Sequence, residues 1–149
     1  MAKEIERKFL LKAGTSIPIP DEFAKMKIKQ AYIFTEMGKH LRVRIINKKA
    51  ILCLKFTEDF IRDEFEYEIP LADAKVMYEK SDLTIEKNRL SFDSDGVHYD
   101  VDSYVNGFVF VEVEFESIKD MNNWVPPSWI GEEITGDEKY SNISLAKKN

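Results

Sequence analysis

Glu4-Ile5-Glu6-Arg7-Lys8 sets charged side chains at every second position, so in an extended strand Glu4, Glu6 and Lys8 share one face while Ile5 and Arg7 share the other. The spacing recurs along the chain. Arg42 and Arg44 form one basic pair and Lys87 and Arg89 another, while Lys55 shares its face with Ile51 and Cys53. Acidic groupings follow: Glu64, Glu66 and Glu68 with Arg62; Asp100 and Asp102 with His98 and Tyr104; and Glu112, Glu114 and Glu116. Like charges two residues apart repel on a strand face, an arrangement that makes sense when a ligand of each sign comes between them. Carboxylates suit hard divalent cations such as magnesium or manganese, and paired arginine and lysine suit a polyanion. His40 and His98 lack metal-ligand spacing and read as structural or surface residues.

The elements that must position these groups are mostly strands. Polarity alternates with a period of two over residues 4–11, 28–35, 41–46, 51–56, 62–69, 84–92, 97–104 and 108–115. Turn residues separate them, notably Asn106-Gly107, Ser94-Asp95-Gly96, Glu36-Met37-Gly38-Lys39 and Asn47-Lys48-Lys49, so sequence neighbours are expected to pair as antiparallel hairpins. Short helices are predicted at 21–26, at 71–80 with Leu71, Ala74, Met77 and Tyr78 on one stripe, and at 118–124 with Met121 facing inward. Pro126-Pro127-Ser128-Trp129 reads as a stiff connector to a tail whose Tyr140-Ser141-Asn142 starts a last short helix.

An ordinary sheet with one solvated face would explain any single strand of this set. It explains the set less well, because a sandwich dilutes its exposed face with Thr, Ser and Gln, whereas here the polar face is carboxylates and cations segregated by strand. Eight strands can close into a barrel around a small ligand, and closure removes the sheet edges. The predicted fold is therefore mainly β: an eight-stranded antiparallel closed barrel with a charged lumen. Its apolar outer face would be covered by a few helices and by Trp124 and Trp129.

Composition narrows the function. The 149 residues fit one domain spanning 1–149, with 44% hydrophobic and 33% charged side chains. A net charge of −5 argues against a general nucleic-acid binder, though not against a small anion held by local basic pairs. Cys53 is alone and makes no intrachain disulfide, which fits a reducing compartment. No leader-like apolar segment and no membrane-length apolar run is visible, so a soluble cytoplasmic protein is expected.

The succession of motifs resembles the CYTH domain proteins, the triphosphate tunnel metalloenzymes. Glu4-Ile5-Glu6-Arg7-Lys8 looks like the Glu-x-Glu-x-Lys opening strand of that family. Arg42-Val43-Arg44, Lys55, the stretch Arg62 to Pro70, Lys87-Asn88-Arg89, Val101 to Tyr104, Val111 to Phe115, Glu133 to Asp137 and Tyr140-Ser141-Asn142 follow in family order. The resemblance implies a tunnel in which Glu4, Glu6, Asp102, Glu112 and Glu114 face one or two Mg2+ or Mn2+ ions. Lys8, Arg42, Arg44, Lys55, Lys87 and Arg89 would bind the phosphates, with Lys139 as the basic residue of the tail, and Glu64 and Glu66 would order the basic side chains or assist with metal. The roles of Asp100 and Glu68 are not fixed by the pattern.

The chemistry this implies is in-line attack of a carboxylate-held water on the terminal phosphorus, with catalysis mainly by positioning and electrostatics. Glu4 and Glu6 belong to that centre. Lys8 is the candidate proton handler, its pKa lowered by crowding cations, with Tyr32 on the next strand to orient it. The expected substrate is a small triphosphate, foremost inorganic tripolyphosphate, because the chain is compact and its Tyr-Ser-Asn tail resembles that of short bacterial triphosphatases. A class IV-type adenylyl cyclase, a thiamine triphosphatase and a non-catalytic polyphosphate or nucleotide binder are the alternatives. No nucleic-acid or membrane partner is expected, and an outer barrel face leaves a homodimer open.

Overall fold

The structure, a computed structural model, describes residues 2–58 and 61–146. Eight long strands follow the alternating segments: β1 (Ala2–Leu11), β2 (Ala24–Glu36), β3 (Lys39–Ile46), β4 (Lys49–Glu58), β5 (Ile61–Ile69), β6 (Leu83–Ser94), β7 (Val97–Tyr104) and β8 (Val109–Phe115). All neighbouring pairs run antiparallel in the order β5-β4-β3-β2-β6-β7-β8-β1. β1 also pairs with β5, Glu4 opposite Arg62, so the sheet closes on itself as a barrel. The expected eight-stranded closed antiparallel barrel is present. A four-residue strand that the alternation does not reveal, β9 (Ile130–Glu133), adds to the end of β1.

Turn chemistry sets the register of the hairpins. Asp95 and Gly96 both take positive φ, 53° and 76°, the left-handed pair that a tight hairpin between β6 and β7 requires. Gly131 serves a different need: a Cβ there would lie 2.9 Å from the Leu10 carbonyl oxygen, so only glycine lets β9 lie against β1.

The helix expected at 21–26 does not form. Ala24, Lys25 and Met26 extend β2 instead and pair with Ser91, Leu90 and Arg89. Six residues cannot hold a helix alone, whereas the alternation of Ile28 continues back through Met26 and Ala24 onto a waiting partner strand.

The other helices cover the outside of the barrel. In α1 (Leu71–Lys80), Ala74 is buried against Ala31, Val43 and Ala50 of β2, β3 and β4, flanked by Leu71, Met77 and Tyr78 as the stripe predicted. In α2 (Ile118–Asn123), the Ser117 side chain caps the first turn by accepting from Asp120 N at 3.0 Å, and Met121 is buried. Met121 joins Phe9, Phe92, Tyr99, Val101, Val111, Val113, Phe115 and Trp129 over the outer face of β1, β6, β7 and β8. Trp124 packs on Phe9 and Phe115, completing the aromatic cover.

A third apolar cluster lies elsewhere. Tyr32, Ile85, Tyr104 and Phe110 each stand two residues from a polar lumen position on their strands: Gln30, Lys87, Asp102 and Glu112. Ile134, Tyr140 and the tail helix α3 (Asn142–Ala146), through Ile143, Leu145 and Ala146, pack into this group. One end of the lumen is thus filled by apolar side chains and the tail, and the charged part opens the other way. No helix among the described residues is long and apolar enough to cross a membrane.

Candidate active site

A cavity of about 260 Å³ occupies the charged part of the barrel. Its lining comprises seven carboxylates, Glu4, Glu6, Glu64, Glu66, Asp100, Glu112 and Glu114, and six cations, Arg42, Arg44, Lys55, Arg62, Lys87 and Arg89, together with Asn142. Alternation explains the layering: each two-residue step along a strand moves one layer deeper. On β8 the steps run Glu114, Glu112, Phe110, and on β1 they run Glu4, Glu6, Lys8, Leu10. Strand order explains the segregation, because the acidic strands β7, β8, β1 and β5 are consecutive around the barrel, and β4, β3 and β6 with their basic positions, together with β2 between β3 and β6, complete the circle.

Most of the cations are held by carboxylates. Lys55 Nζ lies 2.9 Å from Glu64 and 3.3 Å from Glu4, and Arg62 donates to Glu6 with Glu4 3.7 Å away. Arg89 grips Asp102 with two hydrogen bonds of 2.7 and 2.8 Å and reaches Glu112 at 3.1 Å, while Lys87 Nζ donates to the same Asp102 at 2.7 Å. Glu64 is held below the usual carboxylate range: burial pushes it up, but Lys55, the hydrogen bond with Glu4 and the charge of Arg42 together outweigh burial.

Arg42 and Arg44 differ. No carboxylate lies within ion-pair distance of either among the described residues. Arg42 is 4% exposed and its buried Nε has no hydrogen-bond partner. Arg44 donates Nε to the Gln30 Oε1 at 2.7 Å. Burial, then Arg42 and Arg89, lower the Arg44 pKa to about 10, the signature of a cation crowded without counter-charge, whereas the Arg42 pKa is raised in spite of burial by Tyr32, Cys53, Glu64 and Glu4. An anion of several charges is what this arrangement lacks.

The acidic side shows the opposite strain. Burial, and then Glu112 and Glu4, push Glu6 up to about 8 against the pull of Arg62 and Lys55. Glu112 is held low in spite of its burial by Arg89, Lys87 and Lys8, so one proton stays on the Glu6 side of the pair. Burial and Glu4 also raise Glu114, which is exposed at the mouth beside Asp100. Glu114, Asp100 and His98 place ligand atoms within 4.8 Å of one another. Hard oxygen donors whose burial and mutual repulsion favour retention of a proton fit a divalent cation of the magnesium or manganese kind.

Several sequence-predicted residues sit differently from expectation. Asp102, expected on metal, has both oxygens taken by Lys87 and Arg89 and is 1% exposed, so it orders the basic pair, and Asp100 lines the cavity in its place. Lys8 is absent from the lining; its Nζ donates to the Tyr140 carbonyl at 2.8 Å over the Phe110 ring, fastening the tail. Its pKa is indeed lowered, chiefly by burial with Arg62 adding to the shift, while Glu112, Glu6 and Asp102 oppose it. Tyr32 lies in the apolar plug with Ile85 and Phe110 and makes no hydrogen bond to Lys8. Lys139 is exposed on the Tyr140 ring, outside the cavity. His98 is at the rim, bonded to Asp93 at 2.7 Å and Asp100 at 3.1 Å.

The structure also adds residues. Arg62 lines the cavity, and its two-residue spacing from Glu64 was the available signal. Asn142, which accepts from the Tyr104 hydroxyl, and Gln30 carry no charge, so charge alternation does not mark them.

Comparison with known proteins places this geometry. The CYTH domain family model matches residues 2–144. The chain belongs to the CYTH domain family. Among its CYTH relatives, an inorganic triphosphatase of Acetivibrio thermocellus is 37% identical over 99% of this chain and 95% of its own length. An inorganic triphosphatase of Nitrosomonas europaea is 31% identical over 96% of each. A crystal structure described as an inorganic triphosphatase superposes with a TM-score of 0.71 at 30% identity, covering 100% of this chain and 97% of the other.

Proposed function

We propose that this chain hydrolyses inorganic triphosphate to pyrophosphate and phosphate with magnesium or manganese. The observation that carries the reading is the pair Arg42 and Arg44, two lumen cations without carboxylate partners among the described residues, in a cavity where the other four cations have them. A triphosphate brings roughly four to five negative charges, enough to complement this pair and to draw on Lys55, Lys87 and Arg89. Size favours the inorganic substrate: about 260 Å³ is less than the ~300–1,000 Å³ of pockets that enclose drug-sized ligands, and the tail fills the lumen's far end. The two relatives named as inorganic triphosphatases support the same substrate.

The chain's own residues divide the work. Arg42 and Arg44 hold phosphate oxygens, and Lys87 and Arg89, braced by Asp102, fix the anion from the other wall. Glu4 and Glu64 keep Lys55 extended toward the cavity, and Glu66 stands beside them at the mouth. Glu4, Glu6, Glu112 and Glu114, with Asp100 at the rim, form the oxygen set that would hold one or two divalent ions and orient a water in line with the terminal phosphorus. When bound, the ion supplies positive charge to the phosphate oxygens as the leaving group departs. Lys8 acts at a distance by anchoring the tail.

Phosphate release from tripolyphosphate, ATP and thiamine triphosphate, measured with Mg2+ and Mn2+, tests the reading. Tripolyphosphate should be turned over fastest, and Glu4→Gln and Glu114→Gln should each lose most of the activity. Preference for ATP with cyclic AMP as product would replace the proposal, and binding without phosphate release would reduce the protein to a carrier.

A further inference from the structure

We propose that Gln30 is a positioning residue that presents Arg44 to the triphosphate without cancelling its charge, an inference that rests on the function proposed above. Gln30 stands on the inward face of β2 between Ile28 and Tyr32 and is 0% exposed. Its Oε1 accepts from Arg44 Nε at 2.7 Å, which fixes the rotation of the guanidinium plane and leaves both terminal nitrogens for a ligand. Lys55, Arg62, Lys87 and Arg89 are held in the same lumen by carboxylates, so a neutral amide at this place is the exception. A carboxylate would orient Arg44 equally well but would occupy the charge that the anion needs.

The amide also has a cost. Gln30 Nε2 is buried and has no hydrogen-bond partner among the described residues. An unpaired interior donor destabilises a fold, and an unbranched apolar side chain of similar length would remove that penalty in the company of Ile28 and Tyr32. A residue kept only for packing would be apolar here. The lowered pKa of Arg44 agrees with a guanidinium that is oriented but not neutralised.

Calorimetry with tripolyphosphate and no divalent metal, which reads binding without turnover, tests the inference on Gln30→Met and Gln30→Glu. Gln30→Met should melt no lower than the wild type yet bind about tenfold more weakly, the loss of one charge-assisted alignment. Gln30→Glu should bind more weakly still, because its carboxylate keeps the geometry and takes the charge. In an Arg44→Ala background Gln30→Met should change binding little, since the two residues act as one unit. In nitrogen-resolved NMR of the free wild type, the Arg44 Nε–H should be protected from exchange, and Gln30→Met should remove that protection.

Wild-type affinity in Gln30→Met, an equal loss with and without Arg44, or a Gln30→Met protein that melts lower or fails to fold would each overturn the inference. So would an unprotected Arg44 Nε–H in the wild type. Wild-type binding that brings no phosphate release once Mg2+ or Mn2+ is added would instead sink the hydrolase reading and leave the Gln30 and Arg44 coupling standing.

Discussion

Lys87 Nζ and Asp102 Oδ2 lie 2.7 Å apart with only 1% of each side chain exposed, and Arg89 holds the same carboxylate from a second direction. One buried carboxylate therefore organises two of the cations that line the cavity. Asp102→Asn keeps the shape but removes the carboxylate that both cations share, leaving Lys87 without its counter-charge and Arg89 with only Glu112 and Asp100, so it should destabilise the fold by about 3 kcal/mol, read from denaturant unfolding. Stability within 1 kcal/mol of the wild type would show that Glu112 and Asp100 can take over.

The protonation of Lys87 gives a second expectation. Burial pushes its pKa from 10.5 down to about 7, against the pull of Asp102. The folded state thus binds fewer protons than the unfolded chain between those values, so this group's contribution to stability is present above pH 10.5 and is lost as pH falls towards 7. A triphosphate favours the ammonium form, so binding at pH 8 to 9 should take up a proton. Calorimetry in two buffers of different ionisation enthalpy reads this directly. Identical apparent enthalpies would rule out Lys87 as the proton acceptor.

Glu6 predicts the opposite sign for the metal. Its pKa is raised from 4.5 to about 8, chiefly by burial and by Glu112. The folded state holds an extra proton in that window, so the stabilisation is fully present below pH 4.5 and disappears as pH rises through 8. On the proposed function, a divalent cation held by Glu6 and Glu112 would replace the proton. The increase in Tm on adding Mn2+ should accordingly be larger at pH 8.5 than at pH 5, and Glu6→Gln should flatten the difference. An equal Mn2+ effect at both pH values would place the cation elsewhere.

These predictions draw on features of unequal visibility in the sequence. The barrel was legible because its charge alternates with a strand's period, and that period assigned Glu4, Glu6, Arg42, Arg44, Glu112 and Glu114 to one face correctly. Depth was not legible. Alternation puts Asp100 and Asp102 on one face, but it is the pairing of Arg89 with Asp102 across β6 and β7 that makes the deeper residue an anchor and leaves Asp100 in the cavity lining. Lys8 follows the same rule one layer further, where the lumen changes from charged to apolar and its ammonium meets the tail. β9 was invisible because four residues show no period, and Gln30 because an uncharged side chain between Ile28 and Tyr32 looks like filler.

Arg44 combines function and instability in one side chain. Burial and the proximity of Arg42 and Arg89 disfavour its charge, and its one side-chain partner is a neutral amide. Arg44→Met would remove the uncompensated cation and fill similar space, so the protein should melt a few degrees higher. The same change removes a proposed phosphate ligand, and kcat/KM for tripolyphosphate should fall by about a hundredfold. Both effects should appear together, since each follows from a cation placed for an anion that the protein itself does not supply. A variant that melts lower would mean that Glu64, the nearest acidic influence on Arg44, stabilises it more than its neighbours repel it.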